Sequence, residues 1–250
     1  MQTIVVIPCY NEAKRFDAAS FFAATLADPT LAFLLVDDGS ADGTRTLLHQ
    51  LAERYPAQFR VLGLDRNVGK AEAVRQGVLS AFDQSPELVG YLDADLATPI
   101  AELGPMRALF AERAELELAL GSRVGLLGRD VVRTPLRHYL GRVFASLASL
   151  LLDLHVYDTQ CGAKLFRNTA AMRSVFAEPF SVSWTFDVEI LARLARLARD
   201  GAIAPLAHAA IEVPLRRWRD VSGSKLGPAA ALEAGTELAT LWRKYGRSRR

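Results

Sequence analysis

Through the first half of the chain short β-type runs alternate with helical patterns, and this alternation restricts the fold more than any other feature. The runs cover residues 3–8, 32–37, 60–64, 88–92 and 116–121, each rich in Val, Leu or Ile. Between them Val74, Val78 and Phe82 recur every four residues, which stacks them on one helix face. Thr98-Pro99 and Thr134-Pro135 each set a capping residue before a proline at the first helical position. Strands that feed helices and return in parallel make right-handed crossovers. The expectation is an α/β fold, a mostly parallel sheet flanked by helices.

The second half changes character. Residues 136–154 carry the pattern of one long helix, Asn168 stands where a helix cap would, and Ile190, Leu191, Leu194 and Leu197 share a face of another. A strand at 209–213, a polar loop at 216–225 and a final helix with a basic tail complete the chain. No repeat and no long linker interrupts it, so one domain is expected, with a sheet-based half (1–122) and an elaborated half (123–250). With 50% hydrophobic residues in 250, the chain can bury a large core, which excludes disorder. A formal charge of +2 lacks the basic excess of a nucleic-acid binder. Cys9 and Cys161 are too few for a disulfide framework, and they suit a reducing compartment. No basic stretch opens the chain as in a secretory signal, and the longest apolar run, 143–152, falls short of the roughly 20 residues that span a bilayer. A soluble or peripheral protein is expected.

In an open parallel sheet, ligands bind beyond the carboxyl ends of the strands. Four successive runs end there in polar clusters: Pro8-Cys9-Tyr10-Asn11-Glu12, Asp37-Asp38-Gly39-Ser40, Asp65-Arg66-Asn67-Val68-Gly69-Lys70 and Asp93-Ala94-Asp95. Any one alone would be a solvated turn or a helix cap. Four at one edge mark a binding site. Asp93 and Asp95, two positions apart, can both reach a hard divalent ion such as Mg²⁺ or Mn²⁺ shared with substrate phosphates. His49, His138, His155 and His208 are scattered and build no zinc site. Lys70, at a helix start, offers phosphate both its charge and the helix N-terminus.

These motifs resemble the family 2, GT-A fold glycosyltransferases, and the likeness continues past the sheet. Asp158-Thr159-Gln160-Cys161-Gly162-Ala163-Lys164-Leu165-Phe166, Trp184-Thr185-Phe186-Asp187-Val188-Glu189 and Gly223-Ser224-Lys225-Leu226 are similar to the dolichyl-phosphate β-glucosyltransferase branch. One departure follows the Asp-x-Asp triplet, where Leu96-Ala97-Thr98-Pro99 stands in place of a frequent Gln. The resemblance implies inverting, metal-dependent transfer of a hexose, with glucose favoured, from a nucleoside diphosphate sugar such as UDP-glucose to a polyprenyl or dolichyl phosphate. It implies that Pro8, Tyr10, Glu12 and Asp38 hold base and ribose, and that Arg66 and Lys70 lie near the nucleotide. Asp93 would contact ribose or sugar, Asp95 would bind the Mg²⁺ or Mn²⁺, and Gln160 with residues 184–187 would line the sugar and acceptor site.

The charges bear on the acceptor. A sugar hydroxyl needs a general base, for which Asp187 or Glu189 is the candidate. A lipid phosphate is already anionic and needs cations instead. Arg123, Arg129, Arg133, Arg137 and Arg142 follow the fifth run; Arg123 and Arg133 are the expected phosphate ligands, with Trp184 and Lys225 beside them, while Arg129 and Arg142 suit a solvated face. Residues 136–154, with Leu140, Phe144, Leu147, Leu150, Leu151 and Leu154, suit core burial or an interfacial helix on an anionic membrane. The expected location is therefore the cytoplasmic face of a membrane. Three rivals remain: the same fold acting on a glycan hydroxyl with Asp187 as base, a dinucleotide-binding oxidoreductase, and a sugar-nucleotide sensor. The second lacks its glycine fingerprint, because Pro8-Cys9-Tyr10-Asn11 occupies that place.

Overall fold

The computed structural model describes residues 1–132, 135–152, 156–220 and 228–246. Its first half runs β1 (Thr3–Cys9), α1 (Ala18–Ala27), β2 (Leu31–Asp37), α2 (Thr44–Arg54), β3 (Phe59–Gly63), α3 (Lys70–Asp83), β4 (Leu88–Leu92), α4 (Leu103–Glu112) and β5 (Leu118–Ser122). The rest comprises β6 (Asp130–Val132), α5 (Pro135–Leu152), β7 (Ala163–Arg167), α6 (Ala170–Ala177) and α7 (Phe186–Arg199). It ends with α8 (Leu206–Ala209), β8 (Ala210–Pro214), β9 (Arg217–Arg219) and α9 (Pro228–Tyr245).

Seven strands form one sheet in the order β3-β2-β1-β4-β7-β5-β8, and β6 pairs with β9 in a second, two-stranded one. The large sheet is mixed but mostly parallel, because only β7 runs against its neighbours β4 and β5. Strand order reverses at β1, whose two neighbours are β2 and β4. That reversal opens a crevice beyond the carboxyl ends of β1 and β4. Alternation along the strands fills a core on each face: Val6, Val36, Val74, Val78, Phe82 and Tyr91 pack on one side, and Val5, Ile7, Phe33, Leu35, Met106 and Phe110 on the other.

The five expected strands of the first half are present within two residues of their expected ends. The antiparallel β7 was not expected: a lysine in the middle of Ala163-Lys164-Leu165-Phe166 masks the apolar run. Within the expected polar loop lies β9, too short to show a period. The cap of α6 is Thr169, whose Oγ1 accepts the Met172 N–H at 3.1 Å, while Asn168 instead ties down the carbonyls of Phe82 and Pro86. Helix α5 buries Ala145 and Ala148 and packs Phe144 against the core, but exposes Tyr139, Val143, Leu147 and Leu150, so of the residues expected to be core Leu147 and Leu150 face outward. Arg142 is no solvated residue either: it donates to the Tyr157 carbonyl at 3.1 Å and lies over the Tyr157 ring. Arg133 and Lys225 lie outside the described residues.

Candidate active site

The tips of β1, β2 and β3 are welded together by turns that turn side-chain oxygens onto backbone N–H groups. Asp38 is buried, and its two oxygens accept from the N–H groups of Val68 (2.7 Å) and Gly69 (3.0 Å). Burial raises its pKa, and those two bonds only partly offset that. Asp37 holds Arg45 at 2.6 Å. Gly39, at φ +65°, lets the backbone of Arg66 come so near that a Cβ would sit 2.3 Å from the Arg66 carbonyl carbon. Glu12 is mostly buried; its N–H meets Thr44 Oγ1 at 2.8 Å and its carboxylate takes both Nε and Nη2 of Arg15. Pro8 is half-buried within β1, while Tyr10 and Arg66 are exposed at the mouth.

Asp38 thus fixes Gly69, Gly69 precedes α3, and the first residue of α3 is Lys70. Lys70 Nζ lies 2.6 Å from Asp93 Oδ1. Partial burial works against its charge, but Asp93, Asp187 and Asp95 outweigh it and raise the Lys70 pKa. Asp95 accepts the Ala97 N–H at 3.0 Å, and the turn is closed by Leu96 at φ 53°, a strained conformation for leucine. Asp93 is seated by Gly162: its N–H donates to the Gly162 carbonyl at 3.0 Å, and a Cβ at Gly162 would lie 2.1 Å from Asp93 Oδ2.

Among the described residues no three of His, Cys, Asp and Glu converge as a closed metal cage. The donor set is two carboxylates on one turn, Asp93 and Asp95, beside a cation. That fits Mg²⁺ or Mn²⁺, which keep positions for diphosphate and water, and does not fit a protein-enclosed ion.

On the other side of Asp93 the charges are already matched. Lys164 on β7 is fully buried, with Nζ 2.8 Å from Asp187 Oδ1, 2.8 Å from the Cys161 carbonyl and 3.1 Å from Tyr91 Oη. The Tyr91 hydroxyl also donates to Asp187, and Lys70 and Lys164 both approach the Tyr91 ring. Arg123 grips Asp158 through Nε (2.6 Å) and Nη2 (2.8 Å) and lies over Trp218. Burial would lower the Arg123 pKa, but Asp158 raises it, with Asp93 contributing. Glu212 accepts the N–H groups of Tyr157 and Asp158, which pins this loop to β8; Gln160 follows, half-exposed, with its N–H on Asp158. Glu189 is wholly buried among Ser181, Arg193 and Tyr245. Both cysteines are buried, with the Cys161 thiol pushed up to about 11, so neither is a nucleophile.

Asp38, Lys70, Asp93, Asp95, Asp187 and Arg123 are therefore joined through contacts and charge at one sheet edge. Trp184 is partly exposed just before α7, near this edge through Asp187. Lys164, Asp158 and Gly162 were not singled out from the sequence, although all three lie in the quoted 158–166 motif.

Residues 4–174 match the glycosyl transferase family 2 description. The chain belongs to that family. It is a glycosyltransferase, and among its relatives are proteins named dolichyl-phosphate beta-glucosyltransferase. The one from Dictyostelium discoideum is 31% identical over 255 residues, covering 96% of this chain and 74% of its own length. The Homo sapiens one is 31% identical over 259 residues, covering 98% and 76%. The fold is that of solved GT-A enzymes. A Mycobacterium tuberculosis glucosyl-3-phosphoglycerate synthase in complex with UDP superposes with a TM-score of 0.64 at 18% identity, covering 98% of this chain and 81% of that one. A mannosyltransferase from Pyrobaculum calidifontis in complex with GDP-Man and Mn²⁺ gives 0.58 at 18% identity, covering 97% and 63%.

Proposed function

We propose that this glycosyltransferase moves glucose, with inversion, from UDP-glucose to a polyprenyl phosphate of the dolichyl type. The observation that carries this reading is the pairing of an open carboxylate turn, Asp93 and Asp95, with a flanking lysine, Lys70, at the tip of β4. When bound there, Mg²⁺ or Mn²⁺ would neutralise charge on the departing diphosphate. Lys70 adds a cation at the same place, and its interaction strengthens as charge builds on the leaving group. The half 1–122 supplies the nucleotide side, with Tyr10 and Arg66 open at the mouth; the half 123–250 supplies the acceptor side.

In the proposed step the bond from the sugar C1 to the diphosphate oxygen breaks and a bond from C1 to an acceptor phosphate oxygen forms on the opposite face. No proton must leave, because that oxygen is already anionic. Arg123 still has N–H groups beyond those Asp158 engages, and they are suited to hold a phosphate. A glycan hydroxyl would need an accessible base. Asp187 is buried, and its Oδ1 already takes the Lys164 ammonium and the Tyr91 hydroxyl, which makes it poorly placed for that task.

No helix among the described residues is long and apolar enough to cross a membrane. The exposed stripe of Tyr139, Val143, Leu147 and Leu150 on α5 supports attachment to a membrane surface, on the cytoplasmic face in this reading. Sedimentation with anionic liposomes checks it, and a protein absent from the pellet removes that part.

The functional test is incubation with UDP-glucose or GDP-mannose, a divalent ion, and either a short polyprenyl phosphate or a soluble glycan, with products read by mass. Hexosyl phosphoryl lipid formed from UDP-glucose is the expected product. Transfer to the glycan alone overturns the acceptor assignment.

A further inference from the structure

Helix α7 carries Asp187 in its first turn, yet its own cap residue, Thr185, makes no side-chain capping bond. The restraint comes from the far end of the chain. Glu237, on α9, accepts the N–H of Ser183 at 2.8 Å, of Trp184 at 3.1 Å and of Thr185 at 2.7 Å, together with the Ser183 hydroxyl at 3.0 Å. Three consecutive backbone N–H groups converging on one carboxylate form an anion nest, here filled by the protein's own side chain. A second polar cluster fixes the same two helices one turn and more away, where Tyr245 and Lys244 of α9 meet Glu189 of α7. Glu237 is half-buried, and its pKa is nonetheless lowered: burial works against the charge, and the three N–H bonds outweigh it.

We propose that Glu237 is a positioning residue for the acceptor side of the site, a role that rests on the reading of residues 184–187 given above. By holding the three amides it fixes the backbone from which Trp184 projects and the start of α7. That in turn fixes Asp187, which reaches the floor of the site through Lys164 and Tyr91. The last helix of the chain thereby sets the geometry of the acceptor pocket without touching the reacting atoms.

Glu237→Gln keeps shape and one acceptor oxygen but turns an NH2 group toward N–H donors. Amide hydrogen exchange in 183–185 should rise at least about ten-fold in this variant, with exchange in β1 and β2 unchanged. The KM for polyprenyl phosphate should rise by about ten-fold, with the KM for UDP-glucose and the melting temperature nearly constant, because only the acceptor side loses its restraint. Glu237→Asp, which keeps the charge, should recover part of both effects. Unchanged exchange at 183–185 overturns the clasp. Faster exchange with both KM values moving together, or with neither moving, overturns the positioning role and leaves a purely structural contact. If the wild-type protein transfers no hexose to the lipid phosphate, the functional reading fails on its own, and exchange alone then decides the clasp.

Discussion

The two sides of the site differ in how deeply their ion pairs are enclosed. On the proposed nucleotide side, Asp38 is satisfied by the backbone N–H groups of Val68 and Gly69 and Asp95 by that of Ala97, and the ion pairs there, Lys70 with Asp93, Arg45 with Asp37 and Arg15 with Glu12, each set a cation that is about half open to solvent against its acid. On the proposed acceptor side three buried acids are each enclosed with a cation, Asp187 with Lys164, Asp158 with Arg123 and Glu189 with Arg193, while Glu212 and Glu237 are held by backbone N–H groups. Charge left open can be completed by a metal and a diphosphate. Charge already matched inside the protein shapes what binds beside it and, at Arg123, leaves N–H groups over for an anion.

The hardest way to break this contrast is Lys164→Met. It leaves Asp187 buried without its cation, and stripping one partner from a buried pair costs about 3–5 kcal/mol. Urea unfolding should show a midpoint lowered to match, and the double variant Lys164→Met/Asp187→Leu should regain most of the loss. A single-variant cost below about 1 kcal/mol would mean that the pair does not join β7 to α7 in the way described.

Asp95→Asn sharpens the contrast from the open side. Asp95 has one backbone bond to lose, so stability should hardly move, whereas kcat should fall by roughly 10²–10³-fold as charge stabilisation is removed. Isothermal titration with Mn²⁺ and UDP would show weaker joint binding; undiminished turnover sinks the metal assignment. Gly162→Ala tests the seam between the regions. The added methyl, 2.1 Å from Asp93 Oδ2 if nothing moved, must displace the carboxylate, and an ångström of misplacement costs about 10²-fold in rate. Activity near wild type would show that Asp93 can shift without consequence.

The same contrast explains what the sequence made legible. Strand tips of the first half display their polar residues as local motifs, Asp93 with Asp95 and Lys70 after Gly69, so the residues announce themselves even though their contacts, Lys70 with Asp93 and Asp38 with Val68, are distant in sequence. Lys164 and Glu237 stand in no such strand-tip motif: Lys164 is a lone charge within the apolar run of β7 that meets Asp187, and Glu237 reaches Ser183 from another helix, so no local pattern betrays either contact. Lys164 also concealed its own strand: a charge in a short apolar run argues against burial unless its partner is known. Asp187 looked like an available base for the same reason, since nothing nearby in sequence shows that Lys164 and Tyr91 already occupy it.

Acid provides the gentlest probe, because the two sides should respond to it with opposite sign. Glu189 has its pKa lowered in the fold: burial alone would raise it, but the bonds from Arg193 and the Tyr245 hydroxyl outweigh that. Its unfolded value is about 4.3, so above that pH the pairing contributes in full, and it is lost as pH falls through the lower folded value. Asp38 is shifted the other way, raised by burial above an unfolded value of about 3.9. Between those values the folded state binds the extra proton, so ionisation of Asp38 subtracts stability as pH rises and its protonation returns that stability on acidification. Amide exchange followed downward from pH 6 should therefore loosen α7 and α9 before the turns around Asp38 and Gly69. Glu189→Gln should flatten the acid limb of global stability, because the carboxylate whose protonation drives it is gone. If the β2 and β3 tips loosen first, the division between matched and open charge is drawn in the wrong place, and Asp38 rather than Glu189 is the acid that the fold depends on.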